Sequence, residues 1–162
     1  MMKLLIENWK RYLSESNNIS HMAMDIRDAA DEYPEDPKFA IKQLGYNILG
    51  IGQGRVIVKI DNNTVAKISY NDNGVEQNEQ EYSIWNRTKS DLLVPVYDKL
   101  DGYITAAFAL PCGEDCEGEI EKRKNIVRKE LANAGVQSLV DIHNLMNWGI
   151  HKGEVKLLDY GS

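Results

Sequence analysis

The sequence predicts an α+β protein, with helices first, then a run of short strands, then a charged helix that leads into a closing hairpin. Three observations carry that prediction. Apolar residues recur at helical spacing through Leu4, Leu5, Trp9 and Leu13. From Tyr46 the pattern changes to short β-branched runs broken by turn residues. Beyond Pro111 a long charged stretch again carries apolar residues at helical spacing. At 162 residues the chain has room for one sizeable core and is short for two.

The first helical segment has Lys10, Arg11 and Glu15 off its apolar face, and a second runs from Ile19 to Tyr33. It ends at Pro34 and Pro37, because proline breaks a helix interior. A short amphipathic turn around Phe39 and Ile41 follows. Residues 1–45 thus read as an N-terminal helical extension whose expected role is packing, ahead of partner docking. Strands are expected at 47–49, 55–60 and 64–69, the last two joined by Asp61-Asn62-Asn63, since Asp and Asn tolerate left-handed backbone. After Asn71-Asp72-Asn73-Gly74 comes a Glu/Gln-rich helix, Val75 to Thr88. Strands Leu93–Tyr97 and Tyr103–Phe108 complete the order β-β-β-α-β-β. A helix from about Glu117 to His143 should turn Ile120, Ile126, Leu131, Val136, Leu139 and Val140 inward, with Gly135 as a point of interruption. Trp148–Ile150 and Val155–Leu158 form the last hairpin around Lys152-Gly153.

Composition narrows the function. A net charge of −6 argues against non-specific nucleic-acid binding, which needs a basic surface. No apolar run is long enough to span a bilayer, and the opening MMKLLIENWKRYLSES lacks the apolar core and cleavage site of a signal peptide. The expectation is a cytoplasmic protein with no membrane or nucleic-acid partner. Cys112 and Cys116 form a lone C-x-x-x-C, too few ligands for a structural zinc site, so free thiols are expected.

Four stretches could carry chemistry. Leu49-Gly50-Ile51-Gly52-Gln53-Gly54-Arg55-Val56 holds glycines that suit either a tight β-turn or the close approach of backbone to a phosphate. Lys67 lies mid-strand on the same face as Val65, where an unpaired ammonium would be costly to bury. The next helix offers Glu76, Glu79 and Glu81 as partners. At the far end, Asp141-Ile142-His143 and Asn147 precede an apolar strand and Asp159-Tyr160-Gly161.

In this order the four resemble the protein-kinase-like fold over residues 46–162. The resemblance implies a five-stranded antiparallel N-lobe with one helix (46–111) and a reduced, C-terminally truncated helical C-lobe (112–162), behind the helical extension. It implies that Gly50, Gly52, Gly54 and Val56 form a flap over ATP, one residue shorter than the family's G-x-G-x-x-G-x-V. Lys67 would hold the α- and β-phosphates, one place earlier than in V-A-I-K, and Glu81 would orient it, with Glu79 in reserve. Asp159 would bind magnesium, Asn147 a second magnesium, and Asp141 would act as the base. Small-molecule kinases write the last pair as D-x-H-x-x-N, whereas Asp141 to Asn147 spans six positions here. Two readings stay open: a base and a metal ligand with a one-residue bulge between them, or a helix end with the catalytic aspartate missing. The implied function is Mg-ATP binding and γ-phosphoryl transfer to an unidentified acceptor or protein partner. The alternative is a pseudokinase that binds or regulates without turnover, and a third is an unrelated small α+β protein. The opening MMKLLIENWKRYL is similar to small phage-encoded proteins.

Overall fold

The computed structural model describes residues 2–136 and 141–161. Helix α1 (Met2–Glu32) is continuous, because nothing between Leu13 and Ile19 interrupts it. Its second half buries Ile19, Ala23, Ile26 and Ala30, a stripe at helical spacing. That stripe shares a core with Ile41 of α2 (Pro37–Lys42) and with Val56, Val58, Ala66 and Ile68 of the sheet. Packing is therefore the role of this half only. In the first half Met2, Leu5 and Trp9 are 76%, 67% and 60% exposed, because the helix runs on unbroken beyond its last buried turn. Pro37 opens α2 behind Asp36, whose carboxylate accepts from Phe39 N at 3.1 Å.

Five strands make the main sheet: β1 (Ile48–Ile51), β2 (Arg55–Lys59), β3 (Thr64–Ser69), β4 (Val96–Leu100) and β5 (Tyr103–Ala107). All pair antiparallel, in the order β1-β2-β3-β5-β4. The β2–β3 turn forms where expected, but through an Asx turn and not through left-handed backbone. Asp61 Oδ1 accepts from Asn63 N at 2.7 Å, and none of the three turn residues has positive φ. Strand β4 begins at Val96, three residues later than Leu93. Pro95 has no N–H for the ladder, and Leu93 instead bridges in parallel to Leu157.

Helix α3 (Asp72–Thr88) covers the face of the sheet opposite α1. It starts earlier than Val75 because Asn71 caps it, accepting from Gly74 N at 3.0 Å. The second lobe holds a sheet of order β6-β7-β8, made of β6 (Leu110–Pro111), β7 (Trp148–His151) and β8 (Glu154–Leu157), together with α4 (Glu117–Asn133). The turn between β7 and β8 uses Lys152 and Gly153 at φ 51 and 77, the signs a two-residue hairpin loop favours. Ile120, Val127 and Leu131 of α4 enter a core with Ile84, Trp148, Leu157 and Tyr160. Ile126, expected inward, faces out at 51% exposure, since Val127 lies in phase with Ile120 and Leu131.

The helix expected to reach His143 ends at Asn133. Gly135, at φ 77, and Val136 donate to Ala132 O and Leu131 O, which closes the helix as a Schellman motif. Leu139 and Val140 lie outside the described residues. Cys112 and Cys116, expected to be free thiols, are joined in a disulfide. The turn of 3₁₀ helix at 113–116 brings their Cα atoms to 5.6 Å, within bridging range. The whole is a two-lobed α+β architecture: a sheet with one helix on its inner face and a smaller C-terminal lobe. No helix among the described residues is long and apolar enough to cross a membrane.

Candidate functional site

Strand β3 is the central strand, so Lys67 sits mid-sheet, directly opposite Ile57 of β2 and Ile104 of β5. Its ammonium is buried, and burial of a cation demands an anion. Glu81, on the sheet-facing side of α3, supplies it: Lys67 Nζ forms an ion pair with Glu81 Oε1 and donates to Leu158 O at 2.7 Å. The pair expected from sequence is thus brought together. Glu79 pairs instead with Lys99 at the surface, and Glu76 is exposed.

Glu81 has a second cation partner that the motifs did not single out. Arg55, the first residue of β2, lies on the same sheet face as Lys67, and its guanidinium is buried against α3. One nitrogen donates to Glu81 Oε2 at 2.7 Å and to Asn78 Oδ1 at 3.1 Å, and the other to Asp159 Oδ1 at 2.8 Å. Asn78, one turn before Glu81, also donates to Lys67 O at 3.0 Å. Two cations and two carboxylates therefore close a charge-balanced cluster drawn from β2, β3, α3 and the segment after β8.

Burial opposes the charge on Arg55, but Glu81 and Asp159 outweigh it and raise its pKa further. For Asp159, burial pushes the carboxyl up; Lys67, Arg55 and the Gly161 N–H together hold it below its ordinary value. Asp159 keeps 35% of its side chain exposed. The next two residues show why the segment lies here. Tyr160 is wholly buried and donates to Val94 O at 2.7 Å, and a side chain at Gly161 would meet Gln77 O at 2.3 Å.

Beside the cluster opens a cavity of about 350 Å³, within the range of small-molecule sites. Lys67 and Asp159 stand at its polar end, and Ile57, Val65, Ala107 and Leu158 line its apolar part. Gly50 borders it, but Val56 does not. Strand alternation turns Val56 to the core under α1 and gives the cavity face to Ile57.

Gly52 and Gly54 do not line the cavity either. The hairpin tip is clipped to the start of α3: Tyr70 OH donates to Gly52 O at 2.5 Å, Asn71 Nδ2 to Gln53 O at 2.8 Å and Tyr70 N to Gly54 O at 2.9 Å. Gly54 is needed for a reason other than phosphate approach, since a Cβ there would lie 2.4 Å from Gly74 N.

Asp141 and Asn147 form a separate feature. Asp141 is exposed on an irregular loop, where its Oδ1 accepts from Asn144 N at 3.2 Å and its carbonyl from Asn147 Nδ2 at 3.0 Å. Asn147 O accepts from Leu158 N at 2.8 Å, which sets the loop beside the strand that ends in Asp159. Asp141 and Asn147 are not among the residues lining the cavity, although Met146 is.

Both oxygens of Glu81 and one of Asp159 are taken by cations, and the Asn147 amide is turned to a backbone carbonyl. Among the described residues no three His, Cys, Asp or Glu side chains group to hold an ion. No protein-family model matches this chain, and no curated protein matches it.

Proposed function

We propose that the chain is a kinase-like nucleotide-binding module that takes ATP in the cavity under β1 and β2 without turning it over. One observation carries this reading: a buried lysine on the central strand faces an apolar cavity and is held in place by a glutamate of the covering helix. In this reading the adenine ring lies among Ile57, Val65 and Ala107, and the phosphates extend toward Lys67. The phosphotransferase reading shares the same cavity and adds Asp141 as base toward an unidentified acceptor. Arg55 favours the binding module over it, because the Asp159 carboxylate that transfer needs is already neutralised.

Thermal denaturation with ATP tests the proposal. A ligand at a hundred times its Kd adds about 2.7 kcal/mol of stability, so a clear rise in Tm is expected at millimolar ATP. Ala109→Phe, which fills the cavity beside Leu158, should remove that rise. No rise at millimolar ATP would overturn nucleotide binding. Transfer of labelled phosphate from ATP to the protein or an added acceptor, lost in Asp141→Asn, would replace the module by the enzyme.

A further inference from the structure

We propose that Arg55 is the resident cation of this site, holding the place a divalent metal would take, so that the cavity binds its nucleotide in metal-free form. The argument starts from where Arg55 is built. It belongs to a paired strand of the sheet and not to the glycine turn, and Gly52 N donates to its carbonyl at 2.8 Å. Its guanidinium is a planar fork that cannot lose its proton, and here it is satisfied by two carboxylates and one amide. For a metal to take Oδ1 of Asp159, Arg55 would have to give up that partner while staying buried against Glu81 and Asn78, and at the other oxygen the ion would stand beside the same guanidinium. An uncompensated buried charge is strongly unfavourable.

Charge count points the same way. Arg55 and Lys67 balance Glu81 and Asp159, so a divalent ion would enter a site with no charge left to attract it. Nucleotide phosphates in the cavity would meet Lys67 directly, with Arg55 behind Asp159. The part concerning nucleotide rests on the proposed function above; the part concerning metal does not.

The experiment titrates Mn²⁺ into the nucleotide-free protein and follows the free ion by EPR, for the wild type, Asp159→Asn, Arg55→Met and Arg55→Met/Asp159→Asn. The wild type should bind no more Mn²⁺ than Asp159→Asn. Arg55→Met should gain a site at least tenfold tighter, lost again in the double variant. A wild-type site weakened by Asp159→Asn would overturn the proposal, as would a folded Arg55→Met that gains none. If Arg55→Met does not fold, the comparison of wild type with Asp159→Asn decides alone.

In parallel, the Tm rise caused by ATP should be equal in magnesium and in EDTA. A rise that needs magnesium overturns the metal-free form. No rise in either buffer removes the nucleotide reading, and the Mn²⁺ titration still decides the role of Arg55.

Discussion

Glu81 is 1% exposed and has both oxygens in ion pairs, whereas Asp141 stands in the open and accepts from the backbone N–H of Asn144. Neither carboxylate lines the cavity, and the two are held by different physics. Glu81 is placed by charge: out of water, a carboxylate and two cations must find one another, and three separate elements are fixed in doing so. Asp141 is placed by its own backbone, through a side-chain bond to the N–H three residues on that any Asp or Asn could make. One region is rigid because its parts are interdependent; the other is a local loop whose residues can change singly.

The sharpest way to break this contrast is Glu81→Gln. It leaves Lys67 and Arg55 buried with one carboxylate between them, and a loss of about 3–5 kcal/mol is expected in urea unfolding. A loss below about 1 kcal/mol, within the range of exposed pairs, would show that the cluster is wetter than described.

Next in size is Gly161→Ala. The added methyl would lie 2.3 Å from Gln77 O and 3.0 Å from Glu81 Oε2, forcing α3 and the Asp159 segment apart. Overpacking of this kind costs about 1–3 kcal/mol, and the Tm should fall accordingly. An unchanged Tm would show that the two segments are free to separate.

The pH dependence comes third. The folded-state pKa of Asp159 is depressed below its ordinary 3.8. Its contribution is therefore complete above that value and disappears as the pH falls through the lower folded value. Between pH 5 and 2 the wild type should lose stability more steeply than Asp159→Asn, and parallel curves would remove Asp159 from the stabilising pairs. The smallest effect belongs to Asp141→Asn, which keeps an oxygen for Asn144 N and should shift stability by no more than about 0.5 kcal/mol. A larger loss would mean that the loop is as interdependent as the cluster.

The sequence made much of the frame legible, through local signals. Turn residues placed the hairpins, and alternation put Lys67 on the face that needs an anion. A buried ammonium needs an anion, and the kinase-like resemblance singled out Glu81 from the three glutamates the helix offers. Arg55 escaped for two reasons. Beside three glycines it reads as a charge flanking a turn, and its partner Asp159 lies 104 residues away. The usable signal was parity: Arg55, Ile57 and Lys67 fall on one face, which gives two cations to one helix glutamate.

Val56 was misplaced by the same parity. The glycine stretch is one residue short, and a one-residue slip sends every later side chain to the other face. The first half of α1 misled for a different reason. An apolar stripe predicts a buried face only when something lies against it, and spacing within a helix carries no information about its neighbours.

Helix α1 has a consequence for how the molecule moves in solution. Its 31 residues span about 46 Å at the usual rise per residue. A compact chain of 162 residues has a radius of gyration of about 15 Å, so the rod exceeds the diameter of the body that carries it. Rotational diffusion is then anisotropic, and the slowest reorientation belongs to the N–H vectors aligned with the rod. Spin relaxation of N–H groups along α1 would then differ from that of groups set across the rod through orientation alone, with no internal motion required.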